Sequence, residues 1–226
     1  MSRQSLRERA YDLLTLRIQS GDVGWDDRLV DVTLAAELGM SRMPVRDALM
    51  RLAAEGFLVP TTRGFMLPRL TVDEVLEVFD LRRLLEPRAA ALAAQAMTDE
   101  MVDLMERSVA EGTAAMLRGD VPVLFHASET FRNAWLSVVP HRALAQTIRR
   151  CFVQVQNVRL TTMRDPATLE VIVAGQRDLL AAHRARDAVA AADRMLRFVV
   201  AGEEAFRKAV SAAAAASVGQ GQGQGG

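Results

Sequence analysis

Cysteine is almost absent. The 226 residues hold one, Cys151, which excludes an intrachain disulfide and any zinc site built from several thiolates, and fits a reducing compartment. Histidine is scarce, with only His126, His141 and His183, and isolated histidines are usually capping or surface groups. Lysine is nearly missing: Lys208 stands alone among arginines. Arginine suits bidentate pairing with phosphate, carboxylate or guanine, although a GC-rich genome enriches it without functional cause. Net charge is also lacking, because 28 basic side chains balance 28 acidic ones. No global field advertises a polyanionic partner, so any such contact must come from local placement. No apolar run approaches the roughly 18 to 20 residues of a membrane span, and the start, MSRQSLRERAYDLL, reads as charged helix rather than secretory signal. Cytoplasmic placement and no membrane partner are expected. The folded part carries no G-x-x-x-x-G-K-[ST] or G-x-G-x-x-G motif, and Cys151 lies in the apolar helical stretch RRCFVQVQ, where an inert buried thiol is expected. These absences weigh against an enzyme.

Half of the chain is apolar, enough for one large core or two modest ones. The pattern changes near Leu70, which suggests domains at 1–70 and 71–211. A tail at 212–226, AAAAASVGQGQGQGG, reads as low-complexity and flexible. In the first domain Leu6, Ala10, Leu13, Leu14 and Ile18 recur at helical spacing, and Gly21 closes that helix. Asp31 or Thr33 caps a second helix holding Leu34, Ala35 and Leu38. Gly39 breaks it. Ser41 suits the N-cap of a third helix over 42–54, where Pro44 falls in the first turn and loses no helical bond. Two short apolar runs, 57–59 and 65–67, flank a polar turn, the pattern of a hairpin. After Leu70, Thr71 or Asp73 caps a long helix with Val75, Val78, Phe79, Leu85, Ala89 and Leu92 inward. Five more helices read as 98–118, 121–138, 141–163, 166–184 and 186–211. The fold expected is mainly α: a winged helix-turn-helix, then an antiparallel six-helix bundle.

The third helix is apolar on one side through Val45, Leu49 and Leu52. Arg42 and Arg46, four residues apart, project together near its N-terminus, the end that enters the major groove in helix-turn-helix proteins. Ser41 and the helix dipole favour a phosphate there. Ser41, Arg42, Met43 and Arg46 are therefore candidate DNA contacts, with Thr62, Arg63 and Gly64 at the hairpin tip for the adjacent minor groove. Solvated pairing of the arginines with Asp47 or Asp31 is the competing reading.

The stretch SRMPVRDALMRLAAEGFL resembles the signature of the GntR transcription regulators, S-R-x-P-V-R-x-A-L-x-x-L-x-x-E-G. The preceding IQSGDVGWDDRLVDVTLAAELG is similar to that family's approach to the motif, although Gly24-Trp25-Asp26-Asp27 replaces its common Pro-Gly turn. Downstream, VFDLRRLLEPRAAALAAQA resembles the first helix of the FCD domain, the FadR-type ligand-sensing module, and six helices suit its shorter, VanR-like branch. Together the resemblances cover 5–210. They imply a homodimer that binds a short operator palindrome in double-stranded DNA, and a helical domain that senses a small effector.

Most such domains hold a divalent metal through Asp-x-x-x-His on one helix and two later histidines. Carried onto this chain, those four positions are Ser128, Arg132, Gln176 and Phe198. No bound metal or other cofactor is expected, because an arginine is donor-only and permanently charged. In metal-containing relatives the cation commonly fixes an effector's carboxylate; a guanidinium can pair that group directly. Arg132 becomes the expected anchor of a small carboxylate-containing effector. The resemblance further implies Ser128 and Gln176 as its hydrogen-bonding partners, Arg82 and Arg159, typically basic in the family, as completing the pocket, and Phe131, Trp135 and Phe198 as apolar walls. The alternatives are a structural salt bridge from Arg132 to Glu86 or Glu129 around an apolar pocket, as in acyl-CoA sensors, or a bundle that only dimerises. The expected function is a repressor released from its operator by a small organic acid.

Overall fold

The computed structural model describes residues 5–19, 22–24, 26–155, 162–163 and 165–221, with the backbone alone at 19 and 213–221. Arg159 and Gly21, two of the residues singled out above, lie outside the described residues, as do Trp25 and 222–226. Among the described residues nine helices and one two-stranded sheet follow in the order α1 (Leu6–Gln19), α2 (Asp31–Leu38), α3 (Arg42–Ala54), β1 (Val59–Thr61), β2 (Gly64–Met66), α4 (Val72–Ala96), α5 (Asp99–Arg118), α6 (Val121–Ser137), α7 (Arg142–Gln154), α8 (Pro166–Arg184) and α9 (Ala188–Gly221). The chain forms two compact units. One comprises Met1–Thr71 with Arg149–Gln156, the other Val72–Ile148 with Asn157–Gly226.

In the first unit α1 packs on α3, and α2 on α3. The stripe on α1, Ala10, Leu14 and Ile18, meets Leu34 and Ala35 of α2 and Val45, Ala48, Leu49 and Leu52 of α3 in one buried cluster, closed by Phe57, Leu58 and Leu67. Full burial of each large aliphatic side chain contributes about 1.5–3 kcal/mol. Gly39 ends α2 at φ +62, a left-handed conformation that a Cβ disfavours. Val30 rather than Asp31 or Thr33 is the N-cap of α2. Asp31 instead begins the helix, where its carboxylate meets the positive end of the dipole. Ser41 is the N-cap of α3, but its side chain makes no capping hydrogen bond. Pro44 fills the third helical position and brings no N–H to accept.

The wing is an antiparallel pair with Val59 opposite Met66 and Thr61 opposite Gly64. Leu29 adds an isolated bridge to Phe65. Gly64 stands at φ +124, and a Cβ there would lie 2.7 Å from the Leu29 carbonyl oxygen. Close approach and backbone conformation both demand glycine.

The same unit receives a segment from far along the chain. Val153, in the last turn of α7, is buried within the α1–α3 core, and Cys151 beside it is buried too. Half-buried Arg149 is held below the usual arginine range by burial, with Tyr11 acting in the opposite direction. A linear division at Leu70 could not anticipate this segment. Helix α7 also ends at Gln154, short of the expected 163, and 156–161 lie outside the described residues.

The second unit is built on helices that start and stop where the sequence punctuates them. The Thr98 hydroxyl accepts from Met101 N–H at 3.3 Å, and Asp120 accepts from Val123 N–H at 3.2 Å. Asp165 caps α8, and Asp187 accepts from the amides of Val189 and Ala190, both at 3.0 Å. Helix α4 packs along α9, α5 along α6, and α8 against α5 and α9. Phe79 stacks on Phe206 with centroids 6.2 Å apart. Glu203 of α9, buried, takes ion pairs from Arg83 and Arg207. On α4 the buried face includes Val75, Val78, Phe79 and Ala89 as expected, but Leu85 and Leu92 are half-buried and Glu86 is inside instead. Arg82, one turn earlier, neutralises Glu86 there, which is what allows a carboxylate into that face. The expected flexible tail is corrected as well: α9 continues helical through Gly221. Alanine has the highest helix propensity, and extending an existing helix carries no nucleation penalty.

Candidate nucleic-acid interface and effector pocket

Helix α3 buries Pro44, Val45, Ala48, Leu49 and Leu52, so the remaining side chains turn outward. Ser41, Arg42, Met43, Arg46 and Met50 are all exposed. The hairpin stands beside that face, and between them runs a groove of about 790 Å³ lined by Arg42, Arg46 and Met50 of α3 and by Thr61, Thr62, Arg63 and Gly64 of the wing. Five of the seven residues expected to contact DNA, Arg42, Arg46, Thr62, Arg63 and Gly64, line the groove, and Ser41 and Met43 are exposed at the start of α3. The wing turn is tightened internally: the Thr61 hydroxyl donates to Gly64 O at 2.9 Å and accepts from Arg63 N–H at 3.3 Å.

The three guanidinium groups differ in their partners. Arg42 pairs with Asp31 at 3.1 Å, while Asp47, the other carboxylate considered, is taken by Arg7 at 2.8 Å. Arg46 and Arg63 have no ion-pair partner among the described residues. A cation left without a carboxylate on an exposed face is available to a phosphate or a base edge. On the opposite edge Arg51 lies 3.9 Å over the Tyr11 ring and bonds Glu55 at 2.9 Å. The Tyr11 hydroxyl donates to Glu55, and its pKa is pushed up to about 12, first by burial and then by that bond. This cluster fixes α3 on α1.

In the second unit the expected pocket residues do not behave alike. Ser128 is buried, and its Oγ finds no hydrogen-bond partner among the described residues. Gln176 is buried, with Oε1 directed toward Gly112 of α5, whose small size lets Leu124 and Ala127 of α6 approach the same point. Gln176 and Ala127, the residue before Ser128, thus meet at Gly112. Arg132 is nearly buried and donates from Nη1 to Glu129 at 2.7 Å. Arg82 is paired with Glu86. Phe131 and Trp135, the expected walls, are buried. Phe198 differs: its ring covers Gly175, and it lines a separate groove of about 590 Å³ between α8 and α9 with Asp178, Arg194 and Arg197.

The donor chemistry at the four positions where the resemblance implies metal ligands does not fit a divalent cation. A hydroxyl, an ion-paired guanidinium, an amide and a phenyl ring supply neither the negative charge nor the imidazoles such an ion requires. Among the described residues no cluster of three or more His, Cys, Asp or Glu offers another place.

Two histidines behave as expected. His126 is exposed, and His141 caps α7, accepting from Leu144 N–H at 3.3 Å. His183 is the correction: it is fully buried, stacked on Trp135 with centroids 6.4 Å apart, and neither ring nitrogen has a hydrogen-bond partner among the described residues. Desolvation pulls its pKa down to about 4. Sequence reasoning missed it, although the signal existed. His183 follows Gln176 by seven residues and Trp135 follows Ser128 by seven, so each pair lies on one face two turns apart.

No helix among the described residues is long and apolar enough to cross a membrane. The family model "Bacterial regulatory proteins, gntR family" matches residues 6–64, and the FCD domain model matches 77–201. The regulator McbR of Escherichia coli is 29% identical over 167 residues, covering 71% of this chain and 74% of McbR. The Nta operon transcriptional regulator of Aminobacter aminovorans is 29% identical over 136 residues, covering 59% of this chain and 63% of its own length. The gluconate operon repressor of Bacillus subtilis is 37% identical over 86 residues, covering 38% of this chain and 35% of its own. Among solved structures, E. coli McbR/YncC superposes with a TM-score of 0.76 at 25% identity, covering 91% of this chain and 99% of that one. A winged helix with outward arginines, an all-helical C-terminal unit and these two domain matches have one meaning: the chain belongs to the GntR family of bacterial regulatory proteins, with a C-terminal FCD domain, and is a regulator rather than an enzyme.

Proposed function

We propose that the protein is a homodimeric repressor that holds operator DNA through α3 and the wing and releases it when a small organic acid binds the helical unit. One observation carries the DNA part: Arg46 and Arg63, on α3 and at the wing tip, face a common groove without carboxylate partners among the described residues. Two protomers would present two such helices about one helical turn of DNA apart, to a palindrome. The regulators and repressors of operons among its relatives support the reading. Its test is binding of the full chain to duplexes from upstream of its own gene, against random duplex at fixed low salt. Preference for one site is expected, and Arg46→Ala weakens it by about 1–3 kcal/mol. No preference for any site, or an unaltered affinity for Arg46→Ala, defeats the assignment.

For the effector, the proposed anchor is Arg132, with Ser128 and Gln176 as hydrogen-bonding partners and Phe131 and Trp135 as walls; no metal takes part. An incoming carboxylate competes with Glu129 for the guanidinium, so effector binding would separate Arg132 from Glu129. That exchange is a differential contact of the kind a conformational switch requires. Thermal-shift screening against a panel of short carboxylic acids, with and without chelator, is the measurement. A chelator-insensitive rise in midpoint, lost in Arg132→Ala while DNA affinity persists, is the expected result. A second reading, a neutral polar effector, is favoured by the balanced pairs Arg82–Glu86 and Arg132–Glu129. Stabilisation by uncharged analogues alone would select it, and no shift with any compound would favour a bundle that only dimerises.

A further inference from the structure

Two large apolar side chains stand exposed on α3. Met43 is 62% exposed and Met50 56%. At 100° per residue they project within about 20° of each other, at the middle of the face opposite the buried stripe, with Arg46 and Asp47 flanking them. A surface helix ordinarily places charged or polar residues at that centre. Asp47 is engaged by Arg7 and Arg42 by Asp31, so the forward projection of the helix consists of two thioethers and the Arg46 guanidinium, which has no ion-pair partner among the described residues. Met50 also lines the groove with the wing.

We propose that Met43 and Met50 read the 5-methyl groups of two thymines in the operator's major groove, about three base steps apart. The proposal rests on α3 being the groove-entering helix. The spacing follows from the helix: seven residues rise about 10.5 Å, close to three base steps of about 3.4 Å. The chemistry follows from the groove. Thymine is the base that displays a methyl group there, and apolar side chains recognise it by contact. A thioether suits that contact because it is flexible and polarisable, whereas Arg46 between the two is matched to the O6 and N7 acceptors of guanine. The half-site so described has thymines on either side of a guanine-containing step.

The test uses the full-length protein. In vitro selection from a random duplex library defines its preferred site, and that site is then remade with single thymine-to-uracil replacements, which delete one methyl group and leave base pairing intact. Two positions per half-site, about three base pairs apart, should each weaken binding about fourfold, the equivalent of one buried methyl. Met43→Ala should abolish discrimination at one of them and Met50→Ala at the other, while both variants keep the guanine preference. Both side chains are exposed, so folding is not at issue, and an unchanged thermal midpoint verifies it. Equal binding of thymine and uracil probes, a single sensitive position, or variants that still discriminate would overturn the proposal. A library in which no site is enriched would overturn the groove reading of α3 itself.

Discussion

His183 shows most sharply how a residue's environment outweighs its type. A histidine in solution titrates near 6.5, but this ring is fully buried, has no hydrogen-bond partner among the described residues, and is pulled down to about 4 by desolvation. Above pH 6.5 it is neutral in folded and unfolded chains alike, and its burial carries no proton penalty. Between pH 6.5 and about 4 the unfolded chain binds a proton that the folded chain refuses, so stability falls as pH falls, by up to about 3 kcal/mol. The expected outcome is a urea midpoint that drops more steeply between pH 7 and 4.5 in the wild type than in His183→Leu. Parallel pH dependence in the two proteins would show that His183 is solvated. Helical spacing puts His183 on the face of Gln176, but spacing alone does not tell a covered face from an open one such as that of His126, which is exposed; packing against Trp135 decided the burial.

Helix boundaries were legible because they are local. Thr98, Asp120, Asp165 and Asp187 each accept amide hydrogen bonds at the helix start where the residue string placed a break. Packing between helices was less so. At Gly175 of α8 a Cβ would lie 2.3 Å from Cδ2 of Phe198 on α9, so the two helices touch through glycine against ring. Gly175→Ala gains helix propensity within α8 but must drive the ring outward. Overpacking of this sort outweighs the propensity gain, and a net loss of about 1–3 kcal/mol in unfolding free energy is expected. A variant as stable as the parent would mean that Phe198 moves freely. The residue string marked Phe198 as a pocket wall, by its alignment with a metal ligand, and could not reveal that its ring is spent covering a glycine. The DNA face fared better: helix periodicity alone separated the buried Val45 and Leu49 from the outward Arg42 and Arg46. It did not single out Met50, whose partner Met43 stands seven residues earlier.

At the scale of the whole molecule, chain order and spatial grouping part company. Val153, numbered in the second half of the chain, completes the core formed by Leu14, Leu49 and Leu52. Val153→Ala should lower the stability of the N-terminal unit by about 1–3 kcal/mol, read as earlier loss of DNA binding on heating with the effector-free protein. If heat inactivation is unaltered, the cluster tolerates the vacancy and Val153 is peripheral to it. The sequence by itself determined what depends on neighbours a few residues apart: helical periods, caps, the glycine turn at Gly39, the hairpin, and a recognition motif dense enough to identify the family. Tertiary structure alone decided which polar groups are buried, which arginines keep a free charge, that Glu86 and Glu129 sit inside as partners of Arg82 and Arg132, and where 149–156 belong. Val153 reaches its core across more than a hundred residues, and even the local pairs Arg82–Glu86 and Arg132–Glu129, four and three residues apart, are buried only because other helices cover them; the energies come from desolvation and pairing, and no period or motif encodes which distant face will arrive.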